Sequence, residues 1–230
     1  MKEYLNNFDV QRIYGQHVIP GVLDTNKYVP LPVYKNINKW RWEGKDFPRV
    51  IALLEFEEFI KKNTLSFDKV LCFNGMNDPE FEFLPYKEKE IIHYEQDPVN
   101  NDLHNLNLKT KDYDFCMLNQ TLEHLYDPIK CLKNVHEHLR SGGIFYCNVP
   151  VMNIPHMTPY HFYSGFTPTG LGCIAEAAGF EIMTIGSWGN KEYTLKLFQD
   201  LEWPGYEKLL NPGLNDPSYP VISWVFARKK

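Results

Sequence analysis

The chain has 230 residues, a net charge of −5 and an apolar fraction of 43%, which is enough for one large domain with an ordinary core. The negative charge makes nucleic acid a poor partner, because no basic surface would follow a phosphate backbone. No apolar run approaches the roughly 18 residues of a membrane span, and the first ten residues lack the apolar segment of a secretion signal. Five cysteines without a CxxC pair predict reduced thiols in a cytoplasmic protein.

The first part of the chain, residues 1–47, has no clean periodicity and is interrupted by prolines. It predicts an ordered but irregular N-terminal arm. Such an arm either covers one side of the core or closes over a substrate as a lid, and both roles stay open. The main domain is expected to span residues 48–230. It begins with a predicted amphipathic helix at residues 48–63, where apolar side chains recur at helical spacing.

Six short apolar segments predict the strands of one sheet. They lie at residues 68–73, 90–95, 113–118, 144–149, 180–185 and 218–228. A second helix is predicted at residues 127–139, where Asp127-Pro128 suits the start and Ser141-Gly142-Gly143 the end. The strand–helix–strand unit around it implies parallel strands joined by a right-handed crossover.

The last third of the chain predicts one more helix and an insertion. The helix lies at residues 170–178 and is followed by Gly179. Residues 190–217, which carry prolines and a tryptophan, are predicted to be an insertion before the last strand. The last strand is expected to pair with the strand at residues 180–185.

The segment from residue 114 to residue 150 has the pattern DFxxxxxxLEHLxDPxxxLxxxxxxLxxGGxFxxxxP. This pattern resembles the class I S-adenosylmethionine-dependent methyltransferases of the small-molecule type, and the resemblance covers roughly residues 68–180. It implies an α/β, Rossmann-like, doubly wound sheet that is mostly parallel, with helices on both faces and an antiparallel last strand. It also implies S-adenosylmethionine as cofactor and S-adenosylhomocysteine as product.

The resemblance places the cofactor after the first three strands, since open α/β sheets bind ligands at the carboxyl ends of their strands. The loop Phe73-Asn74-Gly75 would hold the methionine part, although it has one glycine where the family has several. Glu95 would accept hydrogen bonds from the ribose hydroxyls. Asp102 would take the adenine amino group, with Leu103 packed on the ring. The alternative for Asp102 is a local turn with its own backbone.

The loop after the third strand and the end of the first strand also bear on cofactor binding. Asn119 and Gln120 are expected at the lip of the cleft, on the methyl-donor side. Glu123 is expected to tie the loop to nearby backbone amides, and His124 either faces the cofactor or completes the loop. The acid that the family places at the end of the first strand is replaced by Cys72, which departs from the pattern.

The segment PVMNIPHMTPYHFYSGFTP after the fourth strand is the candidate acceptor loop. His156 and His161 are its candidate general bases, because transfer of a methyl group to a hydroxyl needs a group that takes the proton. The alternative for either histidine is a hydrogen bond that holds the loop. The dense aromatic side chains of this segment suit a sugar ring or a planar acceptor.

These observations predict methylation of a hydroxyl on a small molecule or on a glycan sugar. Methylation of a small amine and a catalytically inactive binding module are the alternatives. A nicotinamide dehydrogenase is disfavoured because no GxGxxG follows the first strand. No ligand spacing in the sequence predicts a structural metal, and a Mg²⁺ ion that assists deprotonation of a hydroxyl stays an open possibility.

Overall fold

The computed structural model describes residues 5–22, 47–73, 75, 78–205 and 208–230. Its centre is one sheet of six strands. These are β1 (Phe67–Phe73), β2 (Tyr86–Ile92), β3 (Tyr113–Asn119), β4 (Leu139–Pro150), β5 (Phe180–Gly189) and β6 (Pro220–Lys229). The order in the sheet is β2-β1-β3-β4-β6-β5. The first four strands pair in parallel, and β6 runs antiparallel to both β4 and β5. The predicted Rossmann-like sheet with an antiparallel last strand is therefore confirmed.

Helices cover both faces of the sheet. They are α1 (Asn7–Ile13), α2 (Phe47–Lys62), α3 (Pro128–His138), α4 (Pro168–Ala177) and α5 (Lys191–Asp200). Side chains alternate along each strand, so Leu71 and Phe73 join one apolar layer, with α1, α3 and α4. Val70 and Cys72 join the other layer, with α2 and α5.

The N-terminal segment differs from the prediction of an irregular arm. Residues 7–22 are helical, because α1 continues through a π-helical turn at Tyr14–Val18 and a last turn at Ile19–Val22. Asn6 starts α1 with a capping box, which satisfies free N–H groups of the first turn. Ile13 is fully buried in the layer that contains α4. The described part of the arm thus covers one side of the core, and the remainder of residues 1–47, with the question of a lid, lies outside the described residues.

Several boundaries differ from the predicted ones. β2 ends at Ile92, so Glu95 lies in a short turn, Tyr94–Gln96, instead of in the strand. The insertion at 190–217 contains α5, which Asn190 caps. Ser141-Gly142-Gly143 does not end a helix. Instead it lies inside β4, where the pairing with β3 is irregular, and Gly142 has φ +78°, a value that glycine tolerates.

The buried apolar side chains of the described residues form the two apolar layers on either face of the sheet. Within the described ranges, no helix combines the length and the apolar composition that crossing a membrane requires. All five cysteines are free thiols, and four of them are buried, in agreement with the prediction of reduced thiols.

Candidate active site

A cavity of about 470 Å³ opens at the carboxyl ends of β1 and β2. Four residues that the sequence predicted for the cofactor line it together: Phe73, Glu95, Asp102 and Leu103. They come from three separate segments of the chain, so the sheet topology brings them to one place. The opposite wall is made by the turn after β3 and by the loop after β4. We call this space the larger cavity.

Asp102 is engaged in its own turn as well as facing the larger cavity. Its Oδ1 accepts a hydrogen bond of 2.9 Å from the backbone N–H of His104, and it lies 2.9 Å from Nδ1 of the same ring. The His104 ring stacks on Tyr126, with centroids 3.9 Å apart. The turn that was the alternative interpretation of Asp102 is therefore present, and it orients the carboxylate along the cavity wall.

A buried polar cluster lies at the ends of β1, β3 and β4. The Arg49 guanidinium donates to Asp78 at 3.1 Å, to Glu80 at 3.0 Å and to Oδ1 of Asn148 at 2.9 Å. Asn119 donates to Asp78 at 2.7 Å and its Oδ1 accepts from Asn148 at 2.6 Å. Burial alone would lower the pKa of Arg49, but the two carboxylates raise it. Arg49 thus contacts both carboxylates, of which Glu80 is fully buried and Asp78 is partly exposed.

Gly75 packs tightly against this polar cluster. A Cβ at this position would lie 2.2 Å from Asp78 Oδ2 and 2.7 Å from Cys72 Sγ, so no larger residue fits without a shift. Burial raises the pKa of the Cys72 thiol, which keeps it protonated beside Asp78. The predicted contact of Asn74 with the cofactor lies outside the described residues.

A smaller cavity of about 180 Å³ lies beside the loop after β4 and β6. Gln120 and His156, both predicted from the sequence, line it together with Trp203 of the insertion. Gln120 has φ +48° and donates a 2.8 Å hydrogen bond to Oδ1 of Asn148. Asn119, by contrast, points into the polar cluster. Gln120 therefore contacts both the smaller cavity and, through Asn148, the polar cluster.

The loop after β4 is fastened to the turn after β3, Leu122–His124. The backbone N–H groups of Phe162 and Tyr163 both donate to the backbone oxygen of Glu123 at 3.1 Å. The expectation that the Glu123 carboxylate does this tying is wrong, because its carbonyl does it. His124 completes the loop as well, since its Nδ1 lies 2.9 Å from the carbonyl oxygen of Tyr160, and it also lines the larger cavity.

Three histidines meet between the two cavities. One ring nitrogen from each of His124, His156 and His161 lies within 4.8 Å of the other two. Nδ1 of His156 lies 2.9 Å from the carbonyl oxygen of Ile154. Because a carbonyl only accepts, this Nδ1 carries the proton and Nε2 keeps its lone pair. Both ring nitrogens of His161 are buried without a hydrogen-bond partner among the described residues, so His161 does not hold the loop by such a bond.

Glu123 adds a buried carboxyl group beside this histidine cluster. Its Oε1 lies 3.8 Å from Nε2 of His124, and neither carboxyl oxygen has a hydrogen-bond partner within the described ranges. Burial raises the pKa of Glu123 to about 7, against a weaker opposite effect of the Arg49 charge. The surroundings of Glu123 therefore stabilise either its neutral carboxyl group or a carboxylate with an additional positive charge beside it.

Several residues of the site escaped the sequence analysis. Arg49 and Glu80 lie in segments that carried no motif, and only the fold brings them together. Asn148 did leave a signal, since it is an amide within the apolar run of β4. Trp203 belongs to the insertion at residues 190–217. The periodicity of the sequence does not indicate that this insertion passes over the smaller cavity.

The comparison with known proteins agrees with this geometry. Residues 76–147 match the family model described as "Methyltransferase domain". The matched segment, 72 of the 230 residues, is a methyltransferase domain, in agreement with the resemblance to the class I S-adenosylmethionine-dependent methyltransferases. The cofactor of this class is S-adenosylmethionine, in agreement with the prediction. No curated protein matches the chain in sequence.

Solved structures with the same fold as this methyltransferase domain are distant in sequence. The N-methyltransferase NodS of Bradyrhizobium japonicum, in complex with S-adenosylhomocysteine, is 12% identical with a TM-score of 0.50, over 83% of this chain and 91% of that chain. Phosphoethanolamine N-methyltransferase 2 of Haemonchus contortus, in complex with S-adenosylmethionine, is 12% identical with a TM-score of 0.46, over 75% of this chain and 52% of that chain. At 12% identity the similarity to NodS concerns the fold alone.

Proposed function

We propose that the protein transfers a methyl group from S-adenosylmethionine to a hydroxyl group of a small molecule or of a glycan sugar. The observation that carries this proposal is the position of the histidine cluster. His124 lines the larger cavity and His156 lines the smaller one, so the cluster lies where a methyl donor in one space would meet an acceptor in the other.

The larger cavity suits the nucleoside part of the cofactor. Its volume of about 470 Å³ lies within the range of roughly 300–1,000 Å³ that is usual for small-molecule sites. Glu95 and Asp102 present carboxylate oxygens, which accept the hydrogen bonds that ribose hydroxyls and an adenine amino group donate. Leu103 and Phe73 supply the apolar surface for the base. The polar cluster, with Asn119 and Asp78, lies toward the methionine part.

His156 is the best-placed base. S-adenosylmethionine supplies an electrophilic methyl group, so the protein must align the acceptor and remove one proton. The free lone pair on Nε2 of His156 can take that proton. His161 shares the cluster, where burial and the neighbouring His156 lower its pKa. Gln120 can orient the acceptor from the same wall of the smaller cavity.

The smaller cavity favours a hydroxyl over an amine. The described residues that line it include an imidazole and two amides, but no acid, and an acid would be expected for a cationic amine. Its volume of about 180 Å³ is below the range of drug-sized sites, so it suits one sugar unit or a molecule of that size. Trp203 offers a flat apolar face to such a ring.

The proposal is tested in two steps. Calorimetric titration with S-adenosylmethionine and S-adenosylhomocysteine is expected to show micromolar binding of both. A screen of sugars, polyols and small amines, followed by release of S-adenosylhomocysteine, is then expected to give turnover with hydroxyl acceptors. Turnover with amines alone would replace the proposal by N-methylation, the activity for which NodS is named. Absence of cofactor binding up to millimolar concentration would indicate the inactive module.

A further inference from the structure

The histidine cluster has the composition and spacing of a metal site. Each of the three histidines offers a ring nitrogen, and these atoms lie within 4.8 Å of one another. His124 comes from the turn after β3, whereas His156 and His161 come from the loop after β4, more than thirty residues later in the chain. We infer that His124, His156 and His161 bind one divalent transition-metal ion, of which Zn²⁺ is the type.

The hydrogen bonds of two of the rings support this inference. Nδ1 of His124 lies 2.9 Å from the carbonyl oxygen of Tyr160, and Nδ1 of His156 lies 2.9 Å from that of Ile154. In both rings Nδ1 is therefore the donor and Nε2 the free acceptor. A backbone carbonyl on the second nitrogen is the arrangement that fixes the tautomer and the orientation of metal-bound histidines in general.

The third ring gives an independent observation. Both nitrogens of His161 are buried without a hydrogen-bond partner among the described residues, an arrangement that costs free energy unless a further group satisfies them. An ion at the centre of the cluster would satisfy one of them directly. The Glu123 carboxyl, 3.8 Å from Nε2 of His124 and also without a partner within the described ranges, would place a compensating negative charge beside a dication.

The distances require a modest contraction. Zn–N bonds of about 2.0–2.1 Å place tetrahedral ligand nitrogens about 3.3 Å apart, against the spacing of up to 4.8 Å in the structure. Two of the ligands belong to a loop, where a shift of this size needs no movement of the sheet. Three protein ligands leave a fourth coordination position for a small molecule, as is usual in catalytic and not in structural zinc sites.

A metal ion and a base role for His156 use the same lone pair, so they exclude each other in one molecule. The ion-bound protein and the protein with His156 as free base are therefore two separate states, and the inference concerns the first. Its test needs neither cofactor nor acceptor. Imidazole ligands favour Zn²⁺, Co²⁺ and related ions over Mg²⁺, which prefers oxygen ligands. Selectivity for Zn²⁺ and Co²⁺ over Mg²⁺ is therefore part of the test.

The experiment is a titration of the whole purified protein, first freed of metal with a chelator, with Co²⁺, Zn²⁺ and Mg²⁺. Co²⁺ is expected to bind at one equivalent with intense visible d–d bands, Zn²⁺ is expected to displace it, and Mg²⁺ is expected to give no signal. The variants H124A, H156A and H161A are expected to lose at least about 100-fold in Zn²⁺ affinity, beyond the 10–100-fold of outer-shell changes. The control H17A changes a histidine of the N-terminal helical segment and is expected to bind like the natural protein.

The outcomes separate clearly. Circular dichroism of each variant before the titration shows whether it is folded, and H161Q provides a second variant of similar size at the buried position. Stoichiometric Co²⁺ binding that the three variants lose and H17A keeps supports the site. Absence of Co²⁺ binding by the folded natural protein, or binding that survives in all three variants, overturns it, and neither result changes the expected cofactor binding.

Discussion

The two cavities are built in different ways. The larger cavity is walled by turns that directly follow consecutive strands, and its predicted residues Glu95 and Asp102 are partly open to solvent. The smaller cavity draws its walls from α2, the loop after β4, α5 and β6. The buried polar cluster of Arg49, Asp78 and Glu80 with the amides of Asn119 and Asn148 contacts it through Gln120, which donates to Asn148. The sheet topology thus brings the residues of the first cavity together, whereas packing of helices and loops forms the second.

Substitutions in the larger cavity and in the polar cluster are therefore expected to have different effects. Residues of the larger cavity have oxygen atoms available to a ligand, so their loss is expected to lower affinity and leave stability almost unchanged. Residues of the polar cluster already satisfy one another, so their loss is expected to lower stability. His156 lies between the two regions, and its loss is expected to affect turnover.

The largest effect is expected for His156→Ala. Removal of a positioned general base lowers kcat by about 10²–10⁴-fold, and the affinity for S-adenosylmethionine is expected to stay the same, because His156 lines the smaller cavity. Turnover with the best hydroxyl acceptor and calorimetric cofactor binding are the two measurements. His136→Ala, on α3 next to Phe180, is the matched control. A fully active H156A would remove the base role and with it the functional contrast between the cavities.

The second effect is on stability, for Arg49→Ala. The substitution leaves Asp78 and Glu80 without their shared cation, and Glu80 is completely buried. Loss of one partner of a buried ion pair costs about 3–5 kcal/mol, which denaturant unfolding can measure. The matched control is Arg228→Ala, which breaks the exposed pair with Glu181 and is expected to cost at most about 1 kcal/mol. Equal effects of the two variants would show that the polar cluster is no more than a solvated surface network.

The third effect concerns the larger cavity. Glu95→Ala is expected to weaken cofactor binding by about 1.5–3 kcal/mol, the usual value of hydrogen bonds to a charged group, while the unfolding free energy stays the same. Glu88→Ala on the exposed face of β2 is the control, and calorimetric titration is the measurement. Normal cofactor binding by folded E95A would mean that another group of the cavity binds the ribose.

The difference between the regions also explains how far sequence reasoning reached. The six strands and α2, α3 and α4 were predicted because their apolar periodicity is local. Glu95 lines the larger cavity together with Asp102 even though β2 ends three residues earlier than expected, since only its position after the strand matters. The histidine cluster was not foreseen, because no spacing along the chain relates His124 to His161. The carbonyl of Glu123 and the contact of His124 Nδ1 with the carbonyl oxygen of Tyr160 hold the loop against the turn and bring these histidines together.

The last prediction concerns the support behind the larger cavity. His138, at the end of α3, is buried, accepts from the backbone N–H of Leu108 at 3.2 Å and lies 2.7 Å from the carbonyl oxygen of Asn134. Asn134 in turn donates to the carbonyl oxygen of Leu103 at 2.8 Å. The neutral ring is thus part of the contact that holds the segment carrying Asp102 and Leu103 against α3.

Burial lowers the pKa of His138 below its ordinary value of 6.5. As the pH falls through 6.5, the unfolded chain binds a proton that the folded protein does not bind, so stability decreases until the lower folded-state pKa is reached. One such proton changes the unfolding free energy by at most about 1.4 kcal/mol per pH unit. His138→Gln keeps one donor and one acceptor but no titration, so its unfolding free energy is expected to depend less on pH between about pH 7 and pH 5. Parallel pH profiles of the two proteins would show that His138 is solvated and that the segment is held by Asn134 alone.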